Sequence, residues 1–238
     1  MLKASDLKVK IFADGADKTG MLELYKNPIV RGFTTNPTLM RKAGISDYRA
    51  FAKDILQTIK DRPISFEVFS DEFDEMERQA AEIAAWGKNV YVKIPITNTK
   101  RESTIPLITR LAKKGVKVNV TAILTMDQTK ESTKALAGGP SCNISIFAGR
   151  IADAGVDPVP MMAEAVQLVK PHPQIEIIWA SPREVLNVVQ AHEVGCHIIT
   201  ATSDIIKKLP TLGKDLGQFS LETVQMFRQD AVQAGFKL

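Results

Sequence analysis

The sequence predicts an α/β fold, specifically a (β/α)8 TIM barrel with an extra C-terminal helix. Three observations carry that expectation. Short β-type runs alternate with helical stretches along the whole chain, eight such runs fit within 238 residues, and polar and apolar side chains in the central runs segregate by parity. An open, doubly wound sheet is the other arrangement that such alternation allows. At ~100–200 residues per domain and with no linker or low-complexity tract, residues 1–238 are expected to form a single barrel domain, with a C-terminal helix at 221–236.

The strands are expected at Val9–Asp14, Val30–Asn36, Ile64–Phe69, Val90–Ile96, Lys117–Ile123, Cys142–Ala148, Ile175–Ser181 and His197–Thr202. The helices between them carry stop signals, since Gly87, Gly115 and Gly195 each stand just before the next strand. In the third run Ile64, Phe66 and Val68 share one face and Ser65 and Glu67 the other. In the fourth, Val90, Val92, Ile94 and Ile96 oppose Tyr91, Lys93 and Pro95, and in the fifth Val118, Val120 and Ala122 oppose Asn119 and Thr121. The apolar faces suit a covering layer of helices, which leaves the polar set pointing into the barrel.

Composition narrows the function classes. Hydrophobic residues make up 45% of the chain and charged residues 24%, as in ordinary globular domains. The net charge of +4 is a thin excess without a basic stripe, so neither nucleic acid nor a membrane surface is expected as a partner, despite a pI near 9.0. Cys142 and Cys196 lie in apolar segments and read as small buried hydrophobes in a reducing compartment. No apolar stretch reaches the ~20 residues of a membrane span, and the first residues lack the apolar core of a signal peptide. A cytoplasmic location is expected.

Lys93 stands in VYVKIPIT, a run expected to be buried on both faces. Taking an ammonium out of water costs several kcal/mol unless the group is paired or gives up its proton, and a neutral amine can attack a carbonyl to form a Schiff base. A structural ion pair would account for one such lysine equally well. Its neighbours extend the pattern, because Asp14, Thr34, Asn36, Glu67, Asn119, Thr121, Ser145, Arg150, Ser181 and Arg183 all fall in or just beyond the predicted strands, mostly toward their C-terminal halves. That is the face on which barrel enzymes assemble their sites. Asp14, Asn36 and Ser181 could each instead cap the helix that follows.

The segments Gly32–Met40 (GFTTNPTLM), Val92–Thr97 (VKIPIT), Asn119–Thr121, Ser145–Arg150 and Ala180–Arg183 resemble, in order, the motifs of transaldolases, and the length resembles the small class that also contains fructose 6-phosphate aldolases. The resemblance implies that Lys93 attacks the ketone of a ketose phosphate. The iminium then acts as electron sink for cleavage between C3 and C4, and the bound dihydroxyacetone unit passes to an aldose phosphate. It implies Asp14 as the acid/base at the C4 hydroxyl, and Glu67 with Thr121 as the pair that holds a water and relays protons. Arg150, Ser181 and Arg183 match the phosphate site; Asn36, Asn119 and Ser145 match groups that bind substrate hydroxyls, and Thr34 lines the same pocket. The aldolase pattern has a glutamine at the position of Glu67 and a tyrosine at that of Phe147, so both residues favour transfer over free aldol cleavage. Two departures, Ala152–Asp157 and Pro182, bear on substrate preference. The resemblance also implies a ring-like homo-oligomer, a pentamer or decamer, in which the C-terminal helix crosses to a neighbour. The stripe of Leu221, Val224 and Phe227 would be equally well buried on its own barrel.

No cofactor is expected, because an iminium does the work of a Lewis acid, and no metal is expected. His172, His192 and His197 are the only histidines and fall in a proline-flanked loop, on a helix and at a strand start, which does not suit a shared ion. A non-catalytic barrel that binds sugar phosphate would use the arginines but has no use for a buried lysine between two carboxylates. Neither GxGxxG nor a Walker-type loop occurs.

Overall fold

In the computed structural model, which describes residues 2–237, every adjacent pair of strands runs parallel and the last pairs with the first, so the sheet closes into an eight-stranded barrel. The strands are β1 (Lys10–Asp14), β2 (Val30–Thr34), β3 (Ile64–Glu67), β4 (Val90–Pro95), β5 (Val118–Ile123), β6 (Cys142–Ile146), β7 (Ile175–Trp179) and β8 (Ile198–Ala201). Closure rules out the open sheet.

The helices are α1 (Lys18–Lys26), α2 (Pro37–Lys42), α3 (Tyr48–Thr58), α4 (Phe73–Ala84), α5 (Ile105–Lys113), α6 (Met126–Leu136), α7 (Ala148–Asp153), α8 (Val159–Val169), α9 (Leu186–Glu193), α10 (Ser203–Lys208) and α11 (Leu216–Gln233). Local chemistry sets several ends. Asp17, Asn36, Asp47, Thr125 and Asp215 accept a backbone N–H in the first turn of the helix each precedes. Gly115 and Gly195 take the left-handed conformation that ends a helix, with φ of 80° and 72°. None of the described helices is long and apolar enough to cross a membrane.

Burial follows the parity of the strands. Ile11, Phe33, Phe66, Ile94 and Trp179 face outward into the main core, where they meet Ile55, Leu107, Ile108 and Leu111 from the helices. The barrel interior is not uniformly polar, because Phe12, Ile178, Ala180 and Ile198 form a small apolar cluster inside it. Gly32 accommodates that cluster: a Cβ there would lie 2.5 Å from the Phe12 ring. Parity fails at the start of β2, where Val30 and Phe33 both face outward across a register shift with β1, and again in β5. Ala122, expected on the outer face, adopts a φ of 61° and lines the barrel mouth, while Ile123 takes the outward place; the register with β6 shifts between Val120 and Ile123.

The strand ends come earlier than the apolar runs suggest. Asn36, expected to end β2, is the cap of α2, and Ser181 lies beyond β7 with a φ of 61°. The C-terminal helix starts at Leu216, ahead of the expected 221, and has no buried residue. Leu221, Val224 and Phe227 are 50%, 61% and 62% exposed, so α11 does not bury its apolar stripe on its own barrel.

Candidate active site

The C-terminal ends of the strands surround a cavity of about 550 Å3. Asp14, Thr34, Asn36, Glu67, Lys93, Thr121, Ser145, Phe147, Arg150, Ser181 and Arg183 all line it. Each comes from a strand or from the loop or first turn that follows, which is why residues scattered over 170 positions meet at one mouth.

Lys93 is central on β4, paired in register with Glu67 on β3 and Asn119 on β5. It is 6% exposed. Its Nζ lies 3.1 Å from Glu67 Oε2 and donates to the Thr35 carbonyl at 2.9 Å. A buried ammonium thus meets one carboxylate and one backbone carbonyl, the compensation that burial demands. Asp14, across the barrel on β1, accepts a hydrogen bond from Thr34 Oγ1 at 2.7 Å, and Thr34 in turn lies 2.5 Å from Thr200 Oγ1. Burial raises the Asp14 pKa above the ordinary carboxylate value. The positive charge of Lys93 and the Thr34 hydrogen bond oppose that rise, while the charge of Glu67 adds to it. Thr121, opposite Pro95 in the register, has a buried hydroxyl without a protein hydrogen-bond partner.

Asn119 departs from expectation. It is not among the residues lining the cavity but lies fully buried, where Nδ2 donates to Ser65 Oγ at 3.1 Å and Oδ1 accepts from Ser145 Oγ at 2.7 Å. It is placed to orient Ser145, which does reach the wall. The capping alternatives resolve differently for each residue. Asn36 Oδ1 accepts from Leu39 N at 2.9 Å, so it caps α2 and lines the cavity together, whereas Asp17 rather than Asp14 caps α1, and α9 begins after Val185, well past Ser181.

Two guanidiniums stand at the rim. Arg150 on α7 lies over the Phe147 ring, 5.7 Å from its centroid. Arg183 donates from Nε to Asp153 Oδ1 at 3.0 Å and from Nη2 to Asp153 Oδ2. The close approach of α7 to the segment after β7 depends on Gly149: a Cβ at that position would lie 1.6 Å from the Ser181 carbonyl oxygen. Asp153 and Tyr48 are missed by sequence reasoning. Asp153 falls in the run that departs from the transaldolase pattern, and Tyr48, on α3, carries no motif at all.

Lys42, which carries none of the expected roles, also lines the cavity, while two of the histidines and both cysteines sit elsewhere. His192 Nδ1 accepts from Lys8 N at 3.1 Å and His197 Nδ1 from Ile177 N at 3.2 Å, both structural contacts away from the mouth. Cys142 and Cys196 are free and buried, with thiol pKa values pushed up to about 11 and about 12 by burial.

Comparison with known proteins identifies the family. The family model described as Transaldolase/Fructose-6-phosphate aldolase matches residues 11–238. A protein named "Probable transaldolase" from Dehalococcoides mccartyi is 35% identical over 202 residues, 84% of this chain and 90% of the relative. One of the same name from a Thermoanaerobacter species is 32% identical over 232 residues, 97% of this chain and 100% of the relative. Another, from Streptococcus agalactiae, is 37% identical over 193 residues, covering 81% and 85%. With the match running through the barrel and every segment that builds its mouth, the chain belongs to the Transaldolase/Fructose-6-phosphate aldolase family.

Proposed function

We propose that this protein transfers a dihydroxyacetone unit from a ketose phosphate, such as fructose 6-phosphate or sedoheptulose 7-phosphate, to an aldose phosphate through a Schiff base on Lys93. The single observation that carries the reading is the placement of Lys93 Nζ, buried at the cavity floor 3.1 Å from the Glu67 carboxylate and lining the same cavity as Asp14. A solvated or merely structural lysine has no need of a second, separately held carboxylate in that cavity.

Transfer of a proton from Nζ to Glu67 along their contact leaves an amine whose lone pair can attack the donor ketone. Glu67 and the unpartnered Thr121 hydroxyl, which line the same cavity, are assigned to the water that carries protons as the carbinolamine loses hydroxide. The iminium draws electrons from the C3–C4 bond when Asp14 removes the C4 hydroxyl proton. A carboxyl whose pKa is raised by burial accepts that proton more readily and can return it when the acceptor aldehyde adds. Arg150, Ser181 and Arg183 are assigned to the phosphate, for which forked guanidinium donors are suited. Asn36 and Ser145 are assigned to substrate hydroxyls, with Thr34 holding Asp14.

Glu67 and Phe147 support transfer over free cleavage, since both are of the transaldolase type. The exposed apolar stripe of α11 supports a homo-oligomer in which that helix meets a neighbouring copy, and the buried reduced cysteines suit a cytoplasmic protein. Turnover of fructose 6-phosphate with and without erythrose 4-phosphate tests the reaction type. Product is expected only when the acceptor is present; free dihydroxyacetone released at a comparable rate without it would make the protein an aldolase.

A further inference from the structure

The hydrogen bonds between β2 and β3 stop one step short of where a parallel ladder would carry them. Thr35 N donates to Ser65 O at 3.1 Å, and the next bond of a parallel pair would run from Glu67 N to Thr35 O. The chain turns away there, because Asn36 caps α2 and Pro37 opens it. Glu67 N donates instead to the Tyr48 hydroxyl at 2.7 Å, and that hydroxyl donates to Glu67 O at 3.0 Å. One side chain therefore stands in for the β2 backbone on both polar groups of Glu67. The Thr35 carbonyl, which Glu67 would otherwise engage, receives Lys93 Nζ.

Tyr48 is held firmly for this task. Its ring packs edge-on against Phe66 and Phe69, with centroids 6.2 and 5.6 Å away, and at a tilt against Trp86 at 5.9 Å. Burial raises its pKa, so the hydroxyl keeps the proton it donates to Glu67 O.

We infer that Tyr48 is a positioning residue for the Lys93 chemistry: by taking the Glu67 amide it leaves the Thr35 carbonyl free to hold Lys93 Nζ, and it fixes the backbone from which the Glu67 carboxylate reaches that nitrogen. An amine that donates one N–H to Thr35 O and faces Glu67 has its direction of attack set by both contacts. The inference rests on the Schiff-base reading above.

Tyr48→Phe keeps the ring packing and removes only the hydroxyl. It is expected to lower kcat roughly 10-fold while the donor KM stays within about two-fold, the pattern of lost orientation rather than lost binding. Borohydride trapping of the Lys93 adduct should slow in parallel. 4-Aminophenylalanine at position 48, which restores a donor and a lone pair at the same place, should recover most of the rate. A crystal structure of Tyr48→Phe should show Lys93 Nζ displaced from Thr35 O. Wild-type kcat and trapping rate in a folded Tyr48→Phe, or a slow variant that 4-aminophenylalanine does not rescue, overturns the inference. Should Tyr48→Phe fail to fold, wild-type-like folding with low kcat in the 4-aminophenylalanine protein overturns it as well, and recovered kcat supports it. A wild-type protein that forms no Lys93 adduct overturns the Schiff-base reading itself and is seen before any variant is made.

Discussion

Arg183 is engaged fork to fork by Asp153, with Nε and Nη2 each directed at a different carboxylate oxygen across 30 residues of sequence. The pair holds the Asp153 carboxyl below the ordinary carboxylate range and raises the guanidinium above its own, so both are charged at any working pH. A carboxylate therefore stands on an arginine assigned to the phosphate, and an incoming phosphate dianion meets it as a competitor.

Asp153→Asn keeps the shape and one acceptor but removes the charge. The KM for a phosphorylated donor is expected to fall roughly three- to ten-fold at low salt, less at high salt where exposed charges are screened. KM for an unphosphorylated ketose should not move. Steady-state kinetics with both donors at two ionic strengths checks this; equal effects on the two donors would remove Asp153 from phosphate recognition.

Asp14 links activity to a measurable pH effect on stability. Its pKa is raised in the folded state, so between the ordinary carboxylate value and the raised one Asp14 holds more of its proton in the native protein than in the unfolded chain, and its own contribution to stability falls as pH rises through that window. Asp14→Asn removes this loss. The variant is expected to lose activity by at least about 100-fold, as for a general acid/base, yet to gain stability relative to wild type as pH rises from 3 to 7. Denaturant midpoints across that range check it, and a stability difference independent of pH would contradict the assigned shift.

Gly149→Ala tests how the rim is assembled. The added methyl would overlap the Ser181 carbonyl, so either α7 or the segment after β7 must move. A cost of about 1–3 kcal/mol is expected from such overpacking, with a raised KM for the phosphorylated donor because Arg150 and Arg183 separate. Thermal melts and KM measurement decide it; an unperturbed KM would place phosphate recognition away from this rim.

The barrel was legible because its cause is local. β3, β4 and the part of β5 before Ala122 write their inner and outer faces in period two, and Gly115 and Gly195 mark helix ends with the one residue that adopts the left-handed turn without strain. The site was legible where a polar residue interrupts an apolar run, as Lys93 and Glu67 do. What escaped depends on tertiary geometry. Ala122 looks like any outward residue until a register shift turns it to the mouth, and Asn119 looks like a wall residue although its amide is spent on Ser65 and Ser145. Asp153 and Tyr48 act across the fold on partners 30 and 19 positions away, so no spacing in their own segments announces them.

The central claim is that Lys93 carries the donor as a Schiff base, and reduction in place tests it most directly. Protein incubated with fructose 6-phosphate and borohydride, then digested and mapped by mass spectrometry, is expected to carry a reduced three-carbon adduct on the peptide containing Lys93, with none on Lys93→Ala. An unmodified Lys93 in folded protein that still turns over the donor, or an equal adduct in Lys93→Ala, would contradict the account.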